Sequence, residues 1–117
     1  MSDRELLELA AKAYGFGATH GTCWTKSEYP RGSGLEGALW NYMGHMDTAE
    51  LWNPLTDDGD AFRLALKLRI QIEYVDEMDS VMCSLPGSMG ATSVAAIGDV
   101  ELRYAIVQAA AQLGATL

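Results

Sequence analysis

The chain has 117 residues, of which 49% are hydrophobic and 21% charged, and its formal net charge at pH 7 is −8. This length fits a single domain that buries about two-thirds of its unfolded surface, and the composition excludes an intrinsically disordered chain. The negative charge argues against direct binding to nucleic acid, which depends on Lys and Arg contacts to phosphates.

The chain begins with the signals of a helix. Ser2 and Glu5 have the spacing of a capping box, in which the Ser hydroxyl and the Glu side chain satisfy backbone N–H groups at the helix start. Apolar residues then recur at helical spacing, namely Leu6, Leu9, Ala10, Ala13 and Tyr14. Gly15 follows this stripe, so we predict that the helix ends there.

A glycine-rich segment extends from Gly15 to Asn53 and contains only short apolar runs. Residues 18–25 are rich in β-branched and aromatic side chains, which favour a strand, and residues 39–43 are interpreted as a second strand. Residues 29–34 contain proline and glycine and are interpreted as an exposed loop.

A second helix is predicted after Asp57. Ala61, Leu64, Ala65 and Leu68 have the i, i+3, i+4, i+7 spacing of one buried helix face. The acidic cluster just before this stripe then has a structural explanation. Asp57 can cap the helix, and Asp58 and Asp60 place negative charge in the first turn, where the helix dipole favours it.

The last third of the chain predicts strands followed by a helix. Ile70, Ile72 and Tyr74 alternate with polar residues, which indicates a strand with one solvated face. A turn at residues 76–79, an antiparallel strand at 81–85 and an edge strand at 92–97 follow. Asp99 is predicted to cap a final helix that ends at Gly114, with Leu102, Ile106, Ala109 and Leu113 on its buried stripe.

These elements predict one α+β domain over residues 1–117. Three helices pack on a largely antiparallel sheet in the order α-β-β-α-β-β-(β)-α. The chain is expected to fold alone or as a small oligomer. No apolar run reaches the length that spans a bilayer, and the N-terminus lacks the order of a secretory signal. We therefore expect a cytoplasmic protein without membrane contact, in which Cys23 and Cys83 are reduced, buried thiols.

No metal or cofactor is predicted. The spacing of Asp57, Asp58 and Asp60 does not fit a calcium loop, and three carboxylates would repel a phosphate. His20, Cys23, His45 and Cys83 are the chain's His and Cys residues. A zinc site from them is disfavoured, because His20 and Cys23 are three apart on a predicted strand and so point to opposite faces.

Two features predict a binding surface instead. Five of the chain's ten aromatic residues are Trp and Tyr residues of the glycine-rich segment, namely Trp24, Tyr29, Trp40, Tyr42 and Trp52. Large rings near loops are suited to anchor a partner or stack on a ligand, and the alternative is that they fill the core. Two windows, 32–62 and 70–102, carry acidic residues and no Lys or Arg. The candidate acidic contacts in these windows are Asp47, Glu50, Asp76, Glu77 and Asp79.

The segment Trp52-Asn53-Pro54-Leu55-Thr56-Asp57-Asp58-Gly59-Asp60-Ala61, followed by residues 63–68, resembles a group of small uncharacterised proteins encoded by bacteriophages and prophages. The resemblance extends to residues 3–13 and, more loosely, to residues 103–114. The resemblance implies a small phage gene product that acts in the bacterial cytoplasm. Small acidic proteins in that setting often bind a host component, including nucleic-acid-binding defence proteins.

Three functional hypotheses follow. The first is a non-enzymatic binding protein that occludes a basic surface of a host protein. The second is a small-ligand protein that stacks a nucleotide-like molecule on tryptophan, with Arg31, Arg63 or Arg69 near the phosphate. The third is an enzyme with Cys23 or Cys83 as nucleophile and His20 or His45 as base. Charge and aromatic content favour the first.

Overall fold

The computed structural model describes residues 2–15, 21–24, 39–42, 50–87 and 92–117. Within these residues, three α-helices and six strands alternate as α-β-β-β-α-β-β-β-α. The elements are α1 (Asp3–Tyr14), β1 (Gly21–Trp24), β2 (Leu39–Tyr42), β3 (Glu50–Trp52), α2 (Asp58–Leu68), β4 (Gln71–Val75), β5 (Ser80–Ser84), β6 (Ser93–Ala96) and α3 (Asp99–Gly114). A 3-10 helix, Asp76–Met78, joins β4 to β5. The α+β class is confirmed, and β3 is a strand that the sequence pattern does not indicate.

The described strands form two antiparallel sheets of three strands each, in the orders β1-β2-β3 and β4-β5-β6. In the first sheet Cys23 lies opposite Trp40, and Leu39 lies opposite Trp52. In the second sheet Ile72 lies opposite Cys83, and Tyr74 lies opposite Val81. The antiparallel pairing of β4 with β5 is confirmed. The loop predicted at residues 29–34 lies outside the described residues.

The first helix begins and ends where its sequence signals predict. The Ser2 hydroxyl accepts a hydrogen bond from the Glu5 backbone N–H at 3.2 Å, which is the capping-box contact of an N-cap serine. Gly15 has φ 102°, and its N–H donates to the carbonyls of Ala11 and Lys12. A left-handed residue after the last turn is the usual glycine helix stop.

The prediction that Asp99 caps the third helix is wrong. Gly98, not Asp99, occupies the N-cap position of α3, and no side-chain cap hydrogen bond is made there. The helix starts one residue earlier than a cap at Asp99 requires, so Asp99 is its first helical residue. The Asp99 carboxylate instead lies 3.8 Å from the Arg103 guanidinium, four residues along the same helix.

The predicted end of α3 at Gly114 is confirmed, but the reason for a glycine there differs from the predicted one. Gly114 is the last residue of α3, and Ala115 follows it in right-handed conformation. A Cβ added at Gly114 would overlap the backbone carbonyl of Leu9 in α1. Glycine is therefore needed here because two helices approach closely, not because the chain turns left-handed.

The core lies where the three helices meet the second sheet. It contains Leu6, Leu7, Ala10, Ala11, Trp52, Ala61, Leu64, Ala65, Ile70, Cys83, Ala105, Ile106, Val107, Ala109, Ala110 and Ala111. α3 contributes small residues on several sides, which allows α1, α2 and the sheet to pack around it. That position of α3 decides which part of the sheet is covered.

Candidate binding surface

β4 leaves an apolar face uncovered at the edge of the second sheet. Ile72 and Tyr74 share a sheet face with Cys83 and Val81, because directly paired antiparallel residues point to the same side. Cys83 and Val81 are buried, whereas Ile72 is 39% and Tyr74 61% exposed. The difference arises because α3 packs on β5 and β6, and the Ser93 hydroxyl of β6 donates to the Ala105 carbonyl of α3 at 2.7 Å.

This uncovered face is one wall of a groove between β4, α2 and the start of α3, which we call the β4 groove. Two open cavities of about 340 and about 260 Å³ form it, and both are lined by Asp99 and Leu102. The other apolar lining residues are Ala61, Phe62, Ile72, Tyr74, Val81, Ile97 and Ile106. Phe62 is 67% and Ile97 53% exposed, so the groove presents large apolar side chains to solvent.

Acidic side chains lie at one end of the groove and where its two cavities meet. Asp76, Glu77 and Asp79, which we call the acidic hairpin, lie in the turn between β4 and β5 and are exposed. Ser80 pairs with Ala96, so the chain between β6 and α3 leaves the sheet at the same end. Asp99 lines both cavities at the start of α3, and its side chain is 82% exposed. The combination is an apolar groove with an anionic end.

Arg103 is the basic residue among those that line the two cavities, and its charge is engaged within the protein. Its guanidinium makes an ion pair with Asp58 and donates through Nε to the Leu55 carbonyl at 3.0 Å. Asp99 lies near the same guanidinium. The side chain is only 13% exposed, so Arg103 ties α3 to the start of α2 and offers little positive charge to a ligand.

The predicted aromatic contacts divide into three groups. Trp24, Trp40 and Tyr42 lie on β1 and β2, where the structure describes their backbone and strand pairing. Tyr29 lies outside the described residues. Trp52 is 5% exposed, and its ring packs against Tyr14 at 5.8 Å between centroids. Trp52 therefore belongs to the core, which is the alternative that the sequence leaves open for the aromatic residues.

The predicted acidic contacts also divide. Asp76, Glu77 and Asp79 come together in the acidic hairpin. Glu50 lies on β3, opposite Asn41 of β2. Asp47 lies outside the described residues. The acidic residues that the structure brings to the β4 groove thus come from the second of the two windows, together with Asp58 of α2.

The acidic cluster before α2 forms a helix cap. The Asp57 carboxylate accepts from the Asp60 N–H at 2.8 Å, which confirms Asp57 as the N-cap. The buried Asp60 carboxylate accepts from the Asn53 N–H at 2.9 Å and pairs with Arg63 at 2.7 Å. The hydrogen bond that Arg63 donates to Asp60 raises the pKa of the Arg63 guanidinium. Arg63, a candidate phosphate ligand in the small-ligand hypothesis, is therefore already paired with a carboxylate.

Cys83 has the properties of a core residue. Its side chain is buried, and burial raises the pKa of the thiol to about 11, although a hydrogen bond with Ser93 lowers it in part. A thiol with a raised pKa holds little thiolate at neutral pH, and the thiolate is the nucleophile. His20 and His45, the candidate bases, lie outside the described residues, as does the Cys23 side chain.

The apolar lining of the β4 groove is absent from the sequence-based candidates. Ile72 and Tyr74 have the alternation of a half-buried strand, and nothing local states that α3 will cover the neighbouring strand instead. Phe62 carries a signal of its own, because it is a large apolar residue that lies off the buried stripe of α2.

Comparison of the chain with models of known protein families, with curated proteins and with solved structures gives no match. Among the helices of the described residues, none combines the length and the apolar character needed to cross a bilayer. No three His, Cys, Asp or Glu side chains in the described part of the chain are grouped closely enough to hold a metal ion. The β4 groove and the acidic hairpin are therefore the features from which a function is inferred.

Proposed function

We propose that this protein is a non-enzymatic binding protein that occludes a basic surface of a host protein. The observation that carries the proposal is the acidic hairpin beside the uncovered β4 groove. Large apolar side chains are exposed there together with Asp76, Glu77 and Asp79. Exposed apolar surface rimmed by polar groups is typical of protein interaction sites.

Charge and apolar contact have separate parts in this binding mode. A field of one sign attracts a partner of the opposite sign and accelerates encounter. Desolvated aromatic and aliphatic anchors then slow dissociation, because most affinity comes from a few well-packed residues. Tyr74 and Phe62 are the large exposed rings of the groove, at 61% and 67% exposure, and are suited to that anchoring part.

The resemblance to phage and prophage proteins supplies the setting of the proposal. We infer a phage or prophage accessory protein of the bacterial cytoplasm, whose partner is a host protein with a basic surface, such as a nucleic-acid-binding defence protein. The net charge of −8 opposes binding to the nucleic acid itself and favours a partner that binds nucleic acid. Covering such a basic surface would exclude the nucleic acid from it.

Capture from bacterial lysate tests the proposal. The hairpin variant is Asp76→Asn, Glu77→Gln and Asp79→Asn, and Asn is tolerated at Asp79 because this residue has φ 46°. The control is Asp3→Asn, Glu5→Gln and Glu8→Gln on the exposed side of α1. Each set removes three negative charges, from −8 to −5, so the two variants differ in the location of the change and not in total charge.

We expect the parent protein and the α1 control to retain the same host protein at physiological salt. The hairpin variant should retain about tenfold less, since three rim ion pairs of a few tenths to 1 kcal/mol each are lost. Circular dichroism of all three proteins checks that they fold alike. The proposal is contradicted if the parent protein captures no host protein even at low salt, or if both variants lose the partner equally.

A further inference from the structure

The outer edge of β4 offers backbone groups for pairing. In the second sheet the strand order is β4-β5-β6, and among the described strands β4 pairs with β5 alone. An edge strand presents a row of N–H and C=O groups that can pair with another chain. Proteins usually protect such edges with charge, proline or a covering element. β4 has the sequence Gln71-Ile72-Glu73-Tyr74-Val75, in which Glu73 is the single charged residue.

The side chains around the outer edge of β4 determine which kind of chain segment can bind there. On one face Ile72 and Tyr74 continue into the apolar β4 groove, so a chain lying along β4 can direct alternate side chains into it. On the other face the exposed Glu73 lies beside the added chain, and the acidic hairpin lies at its end. The occupant that fits has apolar and basic residues in alternation.

A second copy of the chain fits this edge poorly. In antiparallel pairing centred on Glu73, the two Glu73 side chains would lie opposite each other, and like charges directly opposed are destabilising. In parallel pairing the two acidic hairpins would lie side by side. Each copy also carries a net charge of −8, which opposes association of the two copies.

We infer that the host protein docks through an extended segment, with Lys or Arg alternating with apolar residues, which adds to β4 as a fourth strand. This inference rests on the proposed function and specifies its site and the conformation of the partner. Main-chain hydrogen bonds then hold the segment, and the β4 groove selects its apolar side chains, as in other cases of strand addition.

The probe is a fluorescent synthetic peptide of alternating lysine and valine, with its binding followed by anisotropy at low salt. Two further peptides carry N-methyl groups on all valines or on all lysines. Residues two apart in a strand direct their N–H groups to the same edge, so each methylated peptide has one blocked edge. Pairing with β4 predicts that one methylated peptide loses at least about tenfold in affinity. The other should bind within about threefold of the parent peptide. Equal binding of all three peptides would exclude strand addition.

Protein variants locate the peptide. Ile72→Thr with Tyr74→Thr places β-branched residues, which favour strands, at both positions and removes the large apolar groups that β4 contributes to the groove. The matched control is Val94→Thr on β6, which is 52% exposed and pairs with Met82, whose side chain lies on the opposite face from Cys83 and Val81. We expect the double variant to bind the parent peptide about tenfold more weakly and the control to bind it normally. Equal loss in both, or in neither, would remove β4 as the site.

The inference and the proposed function can fail separately. If the hairpin variant loses the host protein while the β4 double variant retains it, the acidic surface binds the partner and strand addition is wrong. If analytical ultracentrifugation shows a dimer of the parent protein that the β4 double variant abolishes, a second copy occupies the edge and the inference is also wrong. Loss of both the peptide and the host protein in the β4 double variant supports the inference.

Discussion

The carboxylates of Asp57 and Asp60 accept hydrogen bonds from different backbone N–H groups at the start of α2. Asp57 caps the helix through its hydrogen bond from the Asp60 N–H. Asp60 reaches back to the Asn53 N–H, and the Asn53 side chain in turn accepts from the Leu55 N–H at 3.1 Å. The polar residues of this segment therefore satisfy backbone donors in a tight turn, which is a structural role.

Asp57→Ala should lower the free energy of unfolding by about 1 kcal/mol, since the helix loses its N-cap acceptor. Urea denaturation measures the change. Asp57→Asn is the control. Its Asn side chain keeps a hydrogen-bond acceptor at this position, so the free energy of unfolding should fall by only a few tenths of that amount. The capping role is contradicted if calcium or magnesium raises the melting temperature of the parent protein and the rise disappears in Asp57→Ala.

Gly114→Ala should destabilise the protein, because the new methyl group would overlap the Leu9 carbonyl and push α1 from α3. Overpacking of this kind costs about 1–3 kcal/mol, and the gain in helix propensity of up to roughly 1 kcal/mol offsets it only in part. Gly59→Ala in α2 is the matched control. Its Cβ would meet only the ends of the Arg63 and Asp57 side chains, at 3.2 Å, and no backbone atom, so we expect a smaller loss of stability than in Gly114→Ala. Equal thermal melting of Gly114→Ala and the parent protein would show that the two helices can separate without cost.

Among the elements, β4 is an amphipathic strand whose apolar face is not covered by a helix. Its alternation predicts one buried and one solvated face, yet both faces are exposed along most of the strand. The cause lies in α3, which packs on β5 and β6 and leaves β4 at the margin. An edge strand with an apolar face toward an open groove is the feature from which the docking inference follows.

The accuracy of the sequence-based predictions depends on the range of the interactions involved. Ser2, Gly15 and Asp57 act on backbone groups within a few residues, so their helix boundaries are predicted correctly. Asp99 carries the same cap signal as Asp57, but α3 begins one residue earlier and Asp99 faces Arg103. The exposure of Ile72 and Tyr74 depends on the position of a helix some 30 residues further along the chain. The β4 groove was therefore not predictable from local patterns.

Across the molecule, three segments that are far apart in the sequence, residues 3–13, 52–68 and 103–114, lie together. Leu9 of α1 contacts Gly114 of α3, and Arg103 of α3 binds Leu55 and Asp58 at the start of α2. Lys12 also donates to the Leu117 carbonyl at 2.9 Å, so the C-terminal end of α1 lies close to the residues that follow α3. These segments form the helical scaffold, and the acidic hairpin lies outside them, on the strands that the scaffold supports.

We propose that the protein binds its partner through the acidic hairpin and the β4 groove. Amide hydrogen exchange, measured for the protein alone and in complex with the captured host protein, tests this claim most directly. We expect slower exchange on binding in residues 71–81 and 97–104, which contain β4, the hairpin and the start of α3, and unchanged exchange in α1. Slower exchange confined to α1 and the second half of α3 would show that the partner binds elsewhere than at the acidic hairpin and the β4 groove.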